Sequence, residues 1–313
     1  MTNFDYSIPP NPVITYTPVV FKVPGRQVDL QIKVSAPATG TNLPIILFSH
    51  GHGQSNFLSS LRGYGPLVDY YAAQGFIVIQ PTHQDSKILG LDPTGAEGPL
   101  FWHSRATDMH FILDNLDVIG DKVPFLKGRI DKNKIAAIGH SMGGHTVGML
   151  AGMQVTHNKT GEIINLIAPR IKAFVMFGTP GKGSDLAAFA SEHYPILRNQ
   201  IFDTMTMPVL VVAGDKDQHP AFSERADWRM DAYNLSPAPK SLLTIFDGGH
   251  ILGGISGYDS IETNDESPER VALVQQLTTA YLRSALNSDN NSWEDAKLAL
   301  QNDENVKAKI ESK

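Results

Sequence analysis

A serine hydroxyl is a poor nucleophile until a base takes its proton, so a chemically useful serine must be held exposed beside a histidine. Ser141 has such a setting. It is the centre of Gly139-His140-Ser141-Met142-Gly143, with Gly144 following. The pentapeptide lies between Lys134-Ile135-Ala136-Ala137-Ile138, an apolar run of strand type, and Thr146 to Ala151, which reads as the start of a buried helix. Gly-x-Ser-x-Gly at a strand-to-helix junction predicts a nucleophile elbow, a tight turn that carries the serine in a strained conformation. Glycines flank it because larger side chains would collide with neighbouring backbone.

The histidine in turn needs an acid to fix its tautomer and balance its charge. Two downstream loops offer candidates. Gly214-Asp215-Lys216-Asp217 follows the apolar run Val209 to Ala213, and Asp247-Gly248-Gly249-His250 follows Leu242 to Phe246. His250 is the expected base, and the residues alone leave both Asp215 and Asp217 open as its partner. Asp203 and Asp247 are placed less well. An oxyanion hole requires two backbone N–H groups aimed at the developing charge. Met142, next to the serine, is expected to supply one. The other is expected from the loop Ser49-His50-Gly51-His52-Gly53 after the run Ile45 to Phe48.

Other residues have competing readings. His50 and His52 form a His-x-His that elsewhere holds a metal, so a metal-dependent hydrolase is a rival reading. His140 and His145 beside the serine read as packing residues. Phe101, Trp102, Thr179 and Ile251 are candidates to line a substrate pocket, since such clefts are mostly apolar. Arg105 and Asp108, one helical turn apart, are expected to form a structural ion pair.

These groups need a scaffold to bring them together. Ile14 to Val23 and Val28 to Val34 alternate apolar and polar residues about Pro24-Gly25, as a β-hairpin does. Pro44 to Phe48, Phe76 to Ile79, Ile135 to Ile138, Ala173 to Phe177, Val209 to Val212 and Leu242 to Ile245 are short apolar runs of buried-strand type. Helix-length segments, Phe57 to Gln74 and His103 to Ile119 among them, separate the first three. This alternation implies a mostly parallel sheet with helices on both faces. Leu89 to Leu100, rich in glycine and proline, is expected as a surface loop, and Thr179 to Met207 is too short for a large lid. Glu269 to Leu286 reads as a long amphipathic helix that completes one catalytic domain, residues 1–286. Residues 287–313 then comprise a polar linker and a last charged helix, Trp293 to Lys309, with Ser292 as its N-cap, Asp295 at N3 and Trp293 as its anchor.

Among 313 residues the hydrophobic content of 42% and charged content of 19% are ordinary for a globular chain with a sizeable core. A net charge of -6 offers no basic stripe for nucleic acid. The absence of cysteine excludes disulfides, thiolate metal sites and a cysteine nucleophile. Met1 to Pro12 shows no basic-then-apolar leader and no run reaches membrane-spanning length. A cytoplasmic chain without a membrane span is therefore expected, although a processed secreted form would read the same way.

Over nearly its whole length the chain resembles an α/β-hydrolase. The order Ser141, aspartate, His250 matches that of the family's triad. The resemblance selects Asp217, because the family's acid commonly lies three residues after the glycine ending its strand. Ser49-His50-Gly51-His52-Gly53 resembles the family's His-Gly-x-Gly oxyanion loop, which implies the N–H of His52 as second donor with its side chain facing the cleft. Phe48 to Gly53, Pro81-Thr82-His83-Gln84-Asp85 and Gly139 to Gly144 resemble the dienelactone-hydrolase-like branch, which includes platelet-activating-factor acetylhydrolases and polyester hydrolases. Gly249-His250-Ile251-Leu252-Gly253-Gly254 departs from it in running into a glycine-rich loop. The resemblance implies an α/β-hydrolase fold with little or no lid. It also implies cleavage of a small-molecule carboxylic ester through an acyl-enzyme, without cofactor or metal. An amidase or peptidase would use the same three residues.

Overall fold

Apolar runs with no polar alternation must be buried on both faces, and the central sheet is built from such runs. The computed structural model describes residues 10–95 and 97–313. In chain order the elements are β1 (Val13–Phe21), β2 (Leu30–Pro37), β3 (Leu43–Ser49), α1 (Gly65–Ala73), β4 (Ile77–Pro81), α2 (Trp102–Asp114), α3 (Leu116–Lys122) and β5 (Ile130–His140). There follow α4 (Met142–Leu150), β6 (Gln154–Thr156), β7 (Ile163–Ile164), β8 (Ala173–Phe177), α5 (Ala188–His193), β9 (Gln200–Ile201) and β10 (Val209–Gly214). The chain ends with α6 (Asp231–Asn234), β11 (Lys240–Ile245), α7 (Pro268–Leu286), α8 (Ser292–Gln301) and β12 (Ala308–Ser312).

A nine-stranded sheet has the order β1-β2-β4-β3-β5-β8-β10-β11-β12. From β4 to β11 every neighbouring pair is parallel. The β1–β2 hairpin and β12 add antiparallel edges. The molecule is therefore mixed α/β with a large, mostly parallel central sheet. Alternate residues of each strand face opposite ways. Ile45, Leu47, Ile135, Ala137, Phe174 and Met176 pack with α2, α3 and α4. Ile46, Phe48, Ala136, Ile138, Val175 and Phe177 pack with α1, α7 and α8. Helices thus cover both faces, as the apolar runs require.

The strand order also locates a crevice. From β3 the chain moves outward to β4, then crosses back to β5 on the other side of β3 and continues away through β8 and β10. The connections leaving β3 and β5 therefore diverge, and ligand sites form where they do, at the carboxyl ends of the strands. The loop 50–64 and the turn at Ser141 lie at those ends.

The last segment differs from expectation. The charged helix ends at Gln301, and Ala308–Ser312 forms β12, antiparallel to β11. From Lys307 to Ile310 the residues alternate exposed and inward-facing, a period of two that the density of charge obscures in the sequence. Ser292 is not the N-cap. Asn291 holds that position without a side-chain bond, while the N–H of Ser292 donates to Asn290 Oδ1 at 3.0 Å. Residues 54–63 form turns before the short α1, and the expected helix 103–119 is broken at Asn115. Unanticipated is a small sheet of β7, β6 and β9. Leu89 to Leu100 contains no strand or α-helix beyond the end of a 3-10 turn, among its described residues. No helix among the described residues is long and apolar enough to cross a membrane.

Trp293 does anchor the last helix: it is 7% exposed, and its ring meets that of Tyr281 on α7 edge-on, centroids 5.5 Å apart. Trp293→Ala should lower the unfolding free energy by about 3 kcal/mol, seen as a lower urea midpoint at constant slope. An unchanged midpoint would mean that α8 does not depend on this contact.

Candidate active site

The turn at Ser141 follows from steric limits on both sides. Ser141 has φ 55° and ψ −116°, a conformation costing about 1–3 kcal/mol for a residue with a side chain. Its N–H donates to Phe177 O at 2.8 Å, extending the β5–β8 pairing by one residue and holding the turn in place. A Cβ on Gly139 would lie 2.1 Å from Gly143 O, and one on Gly143 would lie 2.0 Å from Ser49 O. The two glycines flanking the serine are therefore obligatory, and the loop after β3 passes directly against the first turn of α4.

His250 lies in the loop after β11 and Asp217 in the loop after β10. Asp217 Oδ2 accepts from His250 Nδ1 at 2.8 Å. The other ring nitrogen, Nε2, is thereby the one left for a nucleophile or substrate, on a side chain 32% exposed. His250 lies beside the serine turn: the ring of His140, the residue preceding Ser141, is 4.7 Å from its ring centroid to centroid. Asp215, the competing acid, makes no such bond; its Oδ1 is buried without a partner among the described residues. Asp203 and Asp247 are exposed and pair with neither group. Gly178, with φ 48°, ends β8 where a Cβ would stand 3.0 Å from Asp217 Oδ2 and 3.1 Å from His250 Nδ1.

Burial alone would raise the carboxyl of Asp217, but His250 and the guanidinium of Arg229 overcome it and hold the group well below the usual carboxylate range. Arg229 Nε lies 3.4 Å from Asp217 Oδ1. The same guanidinium packs over the rings of Trp228 and Phe222, at 4.8 and 5.6 Å. Nothing in its sequence neighbourhood marks Arg229 for this position.

The N–H groups of Met142 and His52 are not spent on hydrogen bonds among the described residues. His52 does not simply face the cleft. Its Nδ1 bonds Asp85 Oδ2 at 2.9 Å, and its ring meets Tyr194 edge-on with centroids 6.1 Å apart. His50 Nε2 accepts from the N–H of His83 at 3.0 Å, so the proton sits on Nδ1, which donates to Gly51 O at 2.7 Å. Both nitrogens of His50 are occupied, so the two histidines do not converge on a common point. No group of three or more potential metal ligands occurs among the described residues.

Arg105 does not pair with Asp108. Its guanidinium, at 0% exposure, donates to Asp85 Oδ1, to the carbonyl of His50, and through Nε to Thr146 Oγ1 at 3.1 Å. Asp108 instead receives Arg26 from the β1–β2 hairpin and His83 Nδ1, the latter at 2.9 Å. The two residues lie on one face of α2 but bind different groups, meeting only in that both reach the loop after β4, and helical spacing cannot reveal those long-range partners. Burial would raise the carboxyl of Asp85, yet Arg105 and the bond from His52 hold it well below the ordinary value.

The four residues expected to line a pocket are all buried: Phe101 at 3%, Trp102 at 4%, Thr179 and Ile251 at 1%. Trp102 and Ile251 belong to the two cores on opposite faces of the sheet. Thr179 packs against Gly144, where a Cβ would meet its side chain at 2.9 Å. Half-buried aromatic surface is offered instead by Tyr194 and Phe222, stacked with centroids 5.9 Å apart beside His52 and Arg229. Both come from the irregular segments after β8 and β10, where hydrophobic periodicity gives no signal.

No protein-family model matches the chain, and a search of curated proteins finds no significant relative.

Because the folded-state carboxyl of Asp85 titrates below its unfolded value, its contribution to stability is full above the ordinary value of 3.8 and is lost as pH falls below it. Asp85→Asn leaves Arg105 buried without its counter-charge, which should cost about 3–5 kcal/mol near neutral pH. The deficit should shrink in acid, so stability curves of parent and variant should converge below about pH 4. Parallel curves down to about pH 2 would show that Asp85 carries no such linkage.

Proposed function

We propose that the chain is a serine esterase of the α/β-hydrolase fold. One observation carries the reading. Ser141 stands at positive φ directly after His140, whose ring lies against His250, and His250 in turn is bonded through Nδ1 to the buried Asp217. A strained, half-exposed serine beside a histidine oriented by a buried acid is what nucleophilic acyl transfer requires.

In this reading His250 Nε2 takes the proton of Ser141 as Oγ attacks the ester carbonyl. Asp217 keeps the Nδ1 proton in place and balances the imidazolium, while Arg229 keeps Asp217 ionised. The N–H groups of Met142 and His52 bind the oxyanion. His250 then protonates the departing alcohol, and water attacks the acyl-enzyme with His250 again as base. No cofactor takes part. Tyr194 and Phe222 form the apolar wall available to the substrate beside His52.

A p-nitrophenyl ester series from acetyl to long acyl tests the reading. Ser141→Ala should reduce kcat by about 10⁴-fold or more, and an active-serine phosphonate should label the parent chain alone. Chelator should leave the rate unchanged. Equal rates in parent and variant would remove Ser141 from the chemistry. A chelator-sensitive rate independent of the serine would favour a metal-dependent hydrolase, in which His50 would have to give up its present bonds to join His52 as a ligand. Amide substrates cleaved as fast as esters would favour the amidase.

A further inference from the structure

Three hydrogen bonds run in series across the base of the site. The N–H of Gly51 lies 2.8 Å from Tyr64 Oη, Tyr64 Oη lies 2.9 Å from His140 Nδ1, and His140 Nε2 lies 2.8 Å from the carbonyl oxygen of His250. The two ends fix every proton between them. A backbone N–H only donates and a carbonyl only accepts. His140 must therefore carry its proton on Nε2, leaving Nδ1 as an acceptor. The tyrosine hydroxyl must then donate to Nδ1 and accept from Gly51. No other arrangement satisfies all three bonds with a neutral imidazole.

The series is closed to water, since Tyr64 and His140 are 0% exposed and Gly51 is buried. Burial, followed by the charge of His250, pushes the imidazole of His140 down to about 3. A Cβ at position 51 would lie 2.9 Å from Tyr64 Oη and 3.3 Å from His140 Nδ1, so a larger residue there would push the hydroxyl out of the series. Tyr64 itself is held in the left-handed region at φ 65°, with its N–H donating to Ser256 O at 2.9 Å. Ser256 belongs to the glycine-rich loop that follows His250. The same loop returns through Glu262, whose carboxylate accepts from the N–H groups of Gln54 and Ser55 at 3.1 and 2.9 Å and from Ser55 Oγ at 2.6 Å. The loop carrying His250 is thus docked onto the loop carrying Gly51 and His52 at two places, and Tyr64 links them at both its backbone and its hydroxyl.

We propose that Tyr64 and His140 are positioning residues, and that the directed series Gly51–Tyr64–His140–His250 sets the spacing between the oxyanion loop and the base. The role rests on the reading of Ser141, His250 and His52 given above. Removing the tyrosine hydroxyl leaves Gly51 without an acceptor and His140 without a donor. The loop bearing Gly51 and His52 then loses its tie to the residue preceding Ser141, although the Tyr64 N–H and Glu262 still dock the two loops, while the surface that binds the substrate's remote parts is untouched. A group that only fills space would lower stability without changing the partition between binding and turnover.

Two measurements decide it. In the unaltered protein, ¹⁵N imidazole spectra should show His140 as the neutral Nε2–H tautomer, without titrating between about pH 5 and pH 8, although Tyr64, His250, Asp217 and Arg229 surround it. An Nδ1–H tautomer, or titration in that interval, would overturn the series whatever the activity. In Tyr64→Phe, kcat for a p-nitrophenyl ester should fall about 10- to 100-fold with KM within about twofold, less than the loss of an oxyanion donor itself. A folded Tyr64→Phe with the parent kcat would sink the positioning role while Ser141→Ala still lacked activity. A parent protein inactive on every ester, yet showing the expected tautomer, would instead remove the esterase reading and with it the positioning role.

Discussion

One buried guanidinium sets the relative positions of the segments around the candidate site. Arg105 on α2 binds three separate parts of the chain: the carbonyl of His50 after β3, the carboxylate of Asp85 after β4, and Thr146 on the helix that begins beside Ser141. A fully buried cation is tolerated only where its charge is balanced and its donors are used. Arginine alone offers a rigid, planar set of donors that can do this in several directions at once. Moving any one of these segments would strand part of that charge, so they are held as a unit. A second, similar arrangement lies alongside. Arg26 on the hairpin holds Asp108, which holds His83, whose Nε2 bonds Ser49 Oγ at 2.9 Å. The loop after β3 therefore starts from residues fixed on both sides, through Ser49 and through His50.

Such rigidity beneath the loop permits strain above it. The positive φ of Ser141 and the close passage of Gly143 against Ser49 O persist only if the surroundings allow no relaxed alternative. The N–H of Ser141 bonded to Phe177 and the ion pairs below the adjoining loop provide that restraint. The histidines in this layer contribute because they are neutral. His50 and His83 are both held well below the ordinary histidine range, chiefly by burial and by the charge of Arg105. As neutral rings each donates at one nitrogen and accepts at the other, so His50 joins two backbone groups and His83 two side chains without adding charge beside the guanidinium groups of Arg105 and Arg26.

What the sequence made legible follows from the range over which its signals act. The buried strands were visible because an apolar run is a local property, and the loops bearing Ser141, Asp217 and His250 could be read as the ends of those runs. The choice between Asp215 and Asp217 was not local. It depends on Gly178 leaving room and on Arg229 arriving from a later segment, so residue types alone left it open. The partners of Arg105 and Asp108 are hidden for the same reason: helical spacing brings the two near each other, but opposite charges on other segments bind each more completely. β6, β7 and β9 were missed because two or three residues carry no periodicity. In β12 the charged Lys309 and Glu311 disguise a strand whose first three residues alternate inward and outward.

Two acids in this molecule are held alike, and the contrast between them bears on which histidine can act as a base. Asp217 meets Arg229 at Oδ1 and His250 at Oδ2, and Asp85 meets Arg105 at Oδ1 and His52 at Oδ2. The arginine contacts differ in closeness. Arg105 is bonded directly to Asp85, whereas Arg229 stands 3.4 Å from Asp217 and shares its face with two aromatic rings. The two histidines so held differ in what lies beside them. His250 lies against the ring of His140, next to Ser141, whereas the ring of His52 meets Tyr194. In the proposed reaction this placement makes His250 the partner of Ser141, and His52 would serve through its backbone, with its ring tying the loop after β3 to Asp85.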